Sequence, residues 1–523
     1  MQPLSILGKL LEAVGVGVLA TIFSCAVLGV DAVGVEVQVD VSSGLPSFEI
    51  VGLPSASVRE ARDRVRSAIK NSGFQFPLGR VTVNLAPADL PKGGTLFDLP
   101  IAMGILIASG QLSAPPARRR VVLLGELSLD GSVRAIFGAL CVAASLGGSS
   151  DVLIIPRGNR QEVEVVAGVN VVAVSTLREA AEALAGGLAA VEVTAGVVAK
   201  EPEVMDPWAE VRGQDVAKRA LEIAIAGGHH VMLSGPPGAG KTLLARQAAK
   251  LAPPLSPEEI VEVSKIYSVA GLLSEARPYI RERPFRSPHH TVTAPALLGG
   301  GAAPRPGEVS LAHRGFLFLD EFGEFERSVI ESLREPLEEG MITIARLHGR
   351  STFPARFTLI AALNPCPCGY LHDRERPCTC RPSEIDRYRR KLSGPILDRI
   401  DLFVRVDRPP ISKVLERAGR SLTGSQDRVL AIAQARRLQR ERFGTDTMRN
   451  GEIPFDQVLQ FCRLDREGER LLQQAAQGWS LSPRSIHRVL RVSRTIADLD
   501  GREEIIADDV LEALSYRREA LFP

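Results

Sequence analysis

The sequence predicts an α/β protein built from three parts: two α/β domains and a helical domain at the carboxyl end. In residues 20–190, short runs rich in β-branched residues, such as "VEVQVDV" and "VLIIP", alternate with helical patterns such as "SVREARDRVRSAIKNSG". A second series starts at residue 209, where a strand pattern, a glycine-rich turn and a helix pattern follow one another. Beyond about residue 408, helical patterns dominate.

The predicted domain boundaries follow from these changes of pattern. We expect the first α/β domain to cover residues 19–190 and the second to cover residues 209–408. The helical domain then covers residues 409–523, and residues 1–18 stand apart as a leader. Between the two α/β domains, the small residues and prolines of residues 191–208 are typical of a linker.

The composition sets limits on cellular location and on partners. A chain of 523 residues is too long for one ordinary core and fits about two to four domains. The formal net charge is +2, so the overall charge does not indicate a protein that binds nucleic acid or membranes. Any basic groups that bind a polyanion must therefore be concentrated in one part of the surface. Seven cysteines are too few for a disulfide scaffold, which favours the reducing cytoplasm.

One uncharged segment, residues 13–30, is long enough to span a bilayer or to imitate a signal peptide. Glycines dilute it, however, and the strand pattern "VGVEVQVDV" follows directly. This context favours a buried helix or strand, with a membrane segment or signal as the alternative. We therefore expect no membrane partner.

The stretch "GPPGAGKT" matches a phosphate-binding turn and lies between a strand pattern and a helix pattern. In such a turn, free backbone N–H groups at the positive end of the following helix cradle phosphate oxygens. The lysine reaches the terminal phosphates, and the threonine hydroxyl holds Mg²⁺. The sequence therefore predicts a site for ATP and Mg²⁺ on Gly235, Pro236, Pro237, Gly238, Ala239, Gly240, Lys241 and Thr242.

Two further apolar strand patterns end in polar residues that suit ATP hydrolysis. "GFLFLDE" ends in Asp320, which we expect near the magnesium ion, and Glu321, which we expect to act as general base on the attacking water. "FTLIAALNP" ends in Asn364, which is placed to hydrogen-bond water or the terminal phosphate. An asparagine that only caps the turn before Pro365 is the alternative.

Two arginines are candidates for stabilising the charge that develops during phosphoryl transfer. Arg399 lies in "SGPILDRIDL", and Arg484 lies in "LSPRSIHRVL" at the start of a predicted helix. An arginine supplied by a neighbouring subunit typically contributes about 10³- to 10⁵-fold in rate. Either arginine could instead be an ordinary surface salt-bridge partner.

Four cysteines lie in "CPCGYLHDRERPCTC", as two C-x-C pairs separated by nine residues. Four thiolates in two close pairs suit tetrahedral Zn²⁺, and a cluster of reduced thiols is the alternative. The predicted ligands are Cys366, Cys368, Cys378 and Cys380.

"GPPGAGKT", "FLFLDE", "AALNP", "LDRID" and "SPR", in this order, resemble the motifs of an AAA+ ATPase. "RPFRSPHHTVTAPALLGGGAAPRPGEVSLAHRGFLFLDE" and "PARFTLIAALNPCPCGY" resemble the magnesium-chelatase-like ComM/YifB family. "NLAPADLPKGGTLFDLPIAMGIL" resembles the Lon-protease-like domain of that family. The resemblance covers the chain from about Leu19 to the end. It implies a Lon-protease-like α/β domain, an AAA+ P-loop α/β core and a helical lid.

The resemblance also implies roles for individual residues. It makes residues 235–242 Walker A, Asp320 and Glu321 Walker B, Asn364 sensor 1, Arg399 an arginine finger and Arg484 sensor 2. Whether Arg484 serves the site of its own subunit or that of a neighbour is left open. It places Gly213 and Gln214 near the adenine, and a hairpin at "GMITIARLHGRSTFPARF" in a central pore. The hairpin residues that would touch DNA are Arg346, His348 and Arg350. The Lon-like domain has no serine after its "PKGG" turn, which implies a domain without proteolytic activity, and Thr95 as a substitute nucleophile is the alternative.

The activity implied by the resemblance is that of a hexameric, ATP-dependent DNA motor. It would be a branch-migration helicase that acts on single-stranded or branched DNA during natural transformation. A magnesium-chelatase-like metal-insertion subunit is the competing class, because its ATPase core is similar. A nucleotide-gated scaffold is the third, although a scaffold has no use for the water-activating Glu321.

Overall fold

The computed structural model describes residues 19–115, 120–186, 189–193, 207–301, 304–346, 349–371, 373, 375–391, 394–409 and 423–517. The predicted leader, most of the predicted linker and His348 lie outside the described residues.

The amino-terminal domain is built on a mixed sheet of eight strands in the order β10–β9–β8–β5–β1–β2–β4–β3, and β6 and β7 form a separate ribbon. The strands are β1 Ala20–Leu28, β2 Asp31–Ser42, β3 Ser47–Val51, β4 Arg80–Ala86, β5 Val121–Leu123, β6 Glu126–Leu127, β7 Val133–Arg134, β8 Val152–Pro156, β9 Asn170–Val174 and β10 Val191–Glu192. The helices are α1 Ala56–Asn71, α2 Asp98–Ala108, α3 Ala139–Leu146, α4 Arg160–Val163 and α5 Leu177–Leu184. Strand β10 pairs with β9, so this sheet extends into the segment assigned to the linker.

Half of the apolar segment considered as a membrane span is strand β1, and its residues 13–18 lie outside the described residues. The strand lies inside the sheet, antiparallel to β2 and parallel to β5, and the consecutive buried residues Ser24, Cys25 and Ala26 fit this position. Helix α2 packs against β1 and β2 and is buried on all sides, which fits the apolar run that follows its first residue, Asp98. Within the described part of the chain, no helix combines the length and the apolarity that a bilayer crossing requires.

The central domain is built on a second sheet, in which five strands run parallel in the order β12–β15–β18–β11–β19. The strands from here on are β11 Val231–Ser234, β12 Phe285–Arg286, β13 Gly299–Gly300, β14 Arg305–Pro306, β15 Phe316–Leu319, β16 Met341–Arg346, β17 Gly349–Pro354, β18 Thr358–Leu363 and β19 Leu402–Arg405. The helices are α6 Asp215–Gly227, α7 Lys241–Ala249, α8 Pro257–Ala270, α9 Ala294–Leu298, α10 Glu308–Leu311, α11 Arg327–Ser332, α12 Arg334–Glu339, α13 Pro382–Lys391 and α14 Gly394–Leu397. Strands β13 with β14, and β16 with β17, form two antiparallel ribbons.

Both faces of the parallel sheet are buried, because its strands alternate between two hydrophobic clusters. In β18, Leu359 and Ala361 belong to a cluster shared with the amino-terminal domain, and Ile360 belongs to a cluster shared with the carboxyl-terminal helices. Successive side chains of a strand point to opposite faces, so a continuous apolar run is what a sheet covered on both sides requires.

The carboxyl-terminal domain is helical, as the sequence predicts. Its helices are α15 Thr423–Phe443, α16 Val458–Phe461, α17 Arg466–Gly478, α18 Pro483–Leu499 and α19 Ala507–Ser515. Helix α18 packs on α6, α15 and α19. The confirmed elements, a mixed α/β architecture with a parallel sheet and a helical carboxyl-terminal region, fit an AAA+ magnesium-chelatase-like fold.

A buried carboxyl group lies where the amino-terminal domain meets the central domain. Glu162 on α4 accepts hydrogen bonds from Asn159 Nδ2 at 3.1 Å and from Ser268 Oγ of α8 at 3.5 Å. Ser268 Oγ in turn accepts the backbone N–H of Gly138 at 3.1 Å. Burial raises the pKa of Glu162 to about 7, although these hydrogen bonds oppose the change.

We predict that Glu162→Gln raises the thermal unfolding midpoint at about pH 8 and has little effect near pH 5. Because the pKa of Glu162 is raised by folding, the wild type loses stability as pH rises from about 4.5 to about 7, by an amount on the order of 1–3 kcal/mol. A neutral glutamine avoids that loss. Thermal unfolding at the two pH values measures the difference, and Glu164→Gln, at an exposed neighbouring position, is the control. A midpoint difference that does not depend on pH would contradict the prediction.

Candidate nucleotide-binding and hydrolysis site

The candidate site lies at the carboxyl edge of the parallel sheet. The phosphate loop at Gly235 follows β11, Asp320 follows β15 and Asn364 follows β18. Because parallel strands end at the same edge, polar residues that are far apart in sequence become neighbours there. In strand order, β11 lies between β18 and β19, which come later in the chain, and such a reversal leaves a crevice for a ligand.

The phosphate loop has the backbone shape that a phosphate cradle requires. Gly238 and Gly240 have φ angles of +77° and +87°, and a Cβ atom added at either position would meet open space. Helix α7 begins directly after the loop, at Lys241, so its free N–H groups face the concave side. These features fit a triphosphate.

Lys241 is folded back into its own loop. Its Nζ donates to the carbonyl oxygens of Gly235 at 2.6 Å and Pro236 at 3.1 Å, and to Asn364 Oδ1 at 3.1 Å. Burial lowers the pKa of Lys241 to about 8, while the carboxylates of Asp320 and Glu321 oppose the change. The structure thus joins the predicted lysine and the predicted sensor through one hydrogen bond.

Thr242 and Asp320 are also joined. Thr242 Oγ1 donates to Asp320 Oδ2 at 2.6 Å, which pairs the two side chains predicted to hold Mg²⁺. Hydroxyl and carboxylate oxygens are ligands that Mg²⁺ prefers, so the pair fits this ion. The other oxygen, Asp320 Oδ1, accepts the backbone N–H of Glu321 at 2.9 Å.

Glu321, the predicted general base, has an unusual backbone and an unexpected partner. Its φ angle is +51°, which non-glycine residues rarely adopt and which is found preferentially at functional sites. Its Oε2 lies 3.2 Å from His290 Nδ1. His290 follows β12, whose carboxyl end lies beside that of β15, so the sheet order brings the two residues together.

Gln214 lies at the base of the phosphate loop. Gly213 and Gln214 both have positive φ angles, and Gln214 Nε2 donates to the carbonyl oxygens of Ala239, at 3.3 Å, and Asp407. Arg408, which follows β19, donates through Nη2 to the carbonyl oxygen of Pro237 at 3.2 Å. The loop is therefore held from both sides by side chains that precede α6 and follow β19.

The two predicted arginines meet at a different place. Arg399 and Arg484 both pair with Glu338 at the end of α12, Arg484 at 2.7 Å. Hydrogen bonding from Arg484, together with the charge of Arg399, lowers the pKa of Glu338. Sequence spacing left a surface salt bridge open for either residue; the exposed Arg484 forms one, whereas Arg399 pairs with Glu338 from a buried position.

A cavity of about 1060 Å³ opens beside these arginines. Among the residues that the structure describes, seven arginines line it against five acidic residues, so the described lining carries a positive excess that would suit a polyanion. The arginines are Arg314, Arg356, Arg399, Arg449, Arg484, Arg488 and Arg491. The acidic residues are Glu338, Glu339, Asp398, Asp401 and Glu452.

The predicted hairpin is present as strands β16 and β17, with Arg346 opposite Gly349. Arg346 and Arg350 are exposed, and Arg346 Nε donates to the carbonyl oxygen of Gly301 at 3.3 Å. The tip therefore touches the neighbouring β13–β14 ribbon. A role for Arg346, His348 or Arg350 in binding DNA stays a prediction.

The four predicted zinc ligands lie together just beyond Asn364. Their sulfur atoms are all within 4.8 Å of one another. Cys366 is buried, and Cys368, Cys378 and Cys380 are half-buried.

Nearly the whole chain is similar to known proteins. The family described as magnesium chelatase, subunit ChlI, matches residues 207–414. Two further descriptions, subunit ChlI of Mg-chelatase and magnesium chelatase, subunit ChlI C-terminal, match residues 37–159 and 423–517. YifB of Escherichia coli K12 is 42% identical over 502 residues, which cover 95% of this chain and 97% of that protein. Competence protein ComM of Haemophilus influenzae is 41% identical over 506 residues, with 95% and 97% covered.

The chain belongs to the ComM/YifB family of magnesium-chelatase-like AAA+ proteins. The resemblance carried by the quoted motifs is thereby confirmed, and the family supports an ATPase. A more distant relative, DNA replication licensing factor mcm-6 of Caenorhabditis briggsae, is 24% identical over 331 residues, which cover 58% of this chain and 35% of that protein.

Three residues of this ComM/YifB chain that contact the phosphate site or the two predicted arginines were not found from the sequence. His290 lies in the quoted "SPHHT" segment, but only the sheet order brings it to Glu321. Glu338 is one acid in the run "REPLEEG", and nothing in its spacing marks it as the partner of two arginines. The position of Arg408 after the last strand of the sheet is the one sequence signal that could have identified this residue.

We predict that nucleotide affinity falls as pH rises through about 8, because the ammonium of Lys241 is the form that pairs with phosphate. If only this form binds, the dissociation constant rises by about tenfold for each pH unit above the pKa. Titration with a nucleotide from about pH 7 to about pH 9.5 measures it. Lys250→Gln, at the exposed end of α7, is the control and should keep the same pH profile. A dissociation constant that stays unchanged up to the highest pH would show that Lys241 does not titrate in this range.

Proposed function

We propose that this protein is a ring-forming ATPase that moves DNA and that acts as a branch-migration helicase in the cytoplasm. The observation that carries the proposal is the meeting of Lys241, Thr242, Asp320, Glu321 and Asn364 at one edge of the parallel sheet. These groups are the ones that phosphoryl transfer to water requires.

In this proposal each side chain has one task. Bound Mg²⁺·ATP supplies the reactive terminal phosphoryl group. Lys241 would donate hydrogen bonds to phosphate oxygens, and Thr242 and Asp320 would hold the metal ion, which would neutralise phosphate charge. Glu321 would take a proton from water as the water oxygen bonds to the terminal phosphorus and the bond to the leaving ADP breaks, while the amide of Asn364 would orient that water. The contact between Glu321 and His290 must change for Glu321 to face the water, so the His290 segment would control when hydrolysis begins.

Arg399 and Arg484 would complete the site of a neighbouring subunit. Support comes from their joint contact with Glu338 beside a cavity with excess positive charge. Two guanidinium groups on one carboxylate are arranged to receive a more highly charged anion, such as a triphosphate. Glu338 would hold them until the phosphates of the neighbour replace it. In a closed ring, such as a homo-hexamer, every subunit meets a neighbour in the same way, so a shared site forms at each boundary between subunits, here called a seam.

DNA is the proposed track. Among the relatives, one is named a competence protein and a more distant one a DNA replication licensing factor. In this chain, Arg346 and Arg350 lie exposed near the tip of the β16–β17 hairpin, and the glycine-rich β13–β14 ribbon lies beside it. Exposed arginines suit backbone phosphates, so the hairpin would track single-stranded or branched DNA without reading its sequence.

The amino-terminal sheet would then be a Lon-like platform without proteolytic activity. The turn at residues 91–97 lacks a serine, and the buried Lys92 donates to the carbonyl oxygen of Pro87. A protease of this type needs a hydroxyl nucleophile activated by a base, and the hydroxyl of Thr95 in this turn donates to Glu126 and not to Lys92. A metal-insertion subunit remains the second candidate, because three magnesium-chelatase family descriptions match the chain. Strand displacement by the isolated protein would favour the DNA motor.

We predict that single-stranded and branched DNA stimulate ATP hydrolysis and that the protein displaces strands. Lys241→Ala should abolish nucleotide binding, whereas Glu321→Gln should bind ATP, fail to hydrolyse it and stay assembled. The ratio of ATPase rates with and without DNA is the main measurement. Replacing both Arg346 and Arg350 by alanine should remove the stimulation, and Arg437→Ala, an exposed arginine of α15, should not. Absence of both stimulation and strand displacement at low salt would refute the DNA motor.

We predict that Arg399→Ala and Lys241→Ala chains, each nearly inactive alone, recover part of the activity when mixed. In mixed rings, a seam can join the intact phosphate loop of one chain to the intact Arg399 of the other. An arginine acting across a seam is worth about 10³- to 10⁵-fold in rate, so the recovery should be large enough to measure. If cross-linking detects mixed rings and no activity returns, Arg399 does not act across the seam.

A further inference from the structure

We propose that Cys366, Cys368, Cys378 and Cys380 hold one structural Zn²⁺ ion. We further propose that this ion stabilises the nucleotide site through the cysteine loop, the segment that follows Asn364. This second step rests on the proposed ATPase function.

The positions of the sulfur atoms suit one tetrahedral ion. The Sγ atoms of Cys366 and Cys368 are 3.4 Å apart, and Cys378 Sγ lies 3.6 Å from each. Four sulfurs at about 2.3 Å from one Zn²⁺ lie about 3.8 Å from one another, so the sulfurs stand close to ligand spacing. A disulfide would bring two of them to about 2.05 Å, and all four are free thiols. The soft ligand set, without oxygen or imidazole, favours zinc over magnesium or calcium.

The loop that carries these cysteines needs a metal ion to hold its shape. Its described residues between Asn364 and the start of α13 contain no helix and no strand. Their internal bonds include the N–H of Gly369 to the carbonyl oxygen of Cys366 at 2.9 Å and the N–H of Cys368 to Cys380 Sγ at 3.3 Å. A segment this short has no core of its own, and the free energy of metal binding can supply the missing stability.

The cysteine loop is packed directly against the phosphate loop. Gly369 has a φ angle of +83°, and a Cβ atom added to it would lie 2.6 Å from Pro237 Cδ. Only glycine allows this approach. Cys366, the first ligand, comes two residues after Asn364, whose side chain accepts the hydrogen bond from Lys241. Fixing the first cysteine therefore limits the positions that the sensor side chain can reach.

Arg408 makes a second link between the two loops. It donates to the carbonyl oxygen of Pro237 at 3.2 Å, and its other nitrogens lie 3.8 Å from Asp373 and 3.4 Å from Glu375 of the cysteine loop. Asp373 is itself held by the N–H groups of Glu375 and Arg376. The ordered cysteine loop thus positions Arg408, and Arg408 positions the phosphate loop.

The test measures metal content and the mobility of the phosphate loop, both independently of hydrolysis. We expect one zinc ion per chain in the purified wild type, and none when Cys378 and Cys380 are both replaced by serine. Cobalt substituted for zinc should show the strong visible absorption of a tetrahedral thiolate site. Amide hydrogen exchange of residues 238–242 should rise in the double-serine variant and in wild type treated with a strong chelator. Chelation acts on protein that is already folded, so it covers the case in which the variant misfolds.

Cys25→Ala, which removes a buried thiol of the amino-terminal sheet, is the matched control and should keep both the zinc and the protection. In the wild type, removal of zinc should also lower the ATPase rate by about 10- to 100-fold, as a displaced catalytic group does. Wild type without bound metal would overturn the proposal, and so would zinc whose removal leaves the exchange of residues 238–242 unchanged. Failure of the proposed ATPase would look different: a zinc-loaded, protected protein that hydrolyses no ATP.

Discussion

The parallel alignment of five central strands is the constraint on which the rest of this structure depends. It sends every strand end to one edge, so the phosphate loop, Asp320, Glu321 and Asn364 become neighbours although they span much of the central domain. The same alignment requires apolar layers on both faces. The amino-terminal domain shares the hydrophobic cluster of one face and the carboxyl-terminal helices share that of the other, which leaves the edge for polar chemistry.

Each group that would act on ATP already has an internal partner. Lys241 is bonded to loop carbonyls and Asn364, Thr242 to Asp320, and Glu321 contacts His290. The same holds for the two arginines, which share Glu338. Polar groups in partly buried positions are costly when unpaired, so the chain alone satisfies them with its own atoms. A bound triphosphate would then replace these internal partners. Binding would not require the removal of water from unpaired charged groups. Such an exchange would also let nucleotide binding move loops, because each internal hydrogen bond that the nucleotide replaces involves a different strand end or helix.

Much of the fold could be predicted from the sequence, because it depends on local patterns. Strand β8 has the bounds of the quoted run "VLIIP", and the carboxyl-terminal domain is helical as its patterns predict. The choice left open for residues 13–30 could not be made from hydropathy, since an inner strand of a covered sheet and a membrane segment are equally apolar. For residues 20–28, pairing with β2 and β5 decided it. The short β10 was missed because two residues carry no period, and its pairing with β9 defines it.

By itself, the sequence identified the phosphate-loop pattern and the acidic residues Asp320 and Glu321, because both stand in short contiguous motifs. It determined the four cysteines and their spacing for the same reason. Only the tertiary structure decided which residues meet across long separations: His290 with Glu321, Glu338 with two arginines, and Arg408 with Pro237. These contacts arise from strand order and domain packing, which are properties of the whole chain and leave no local pattern to read.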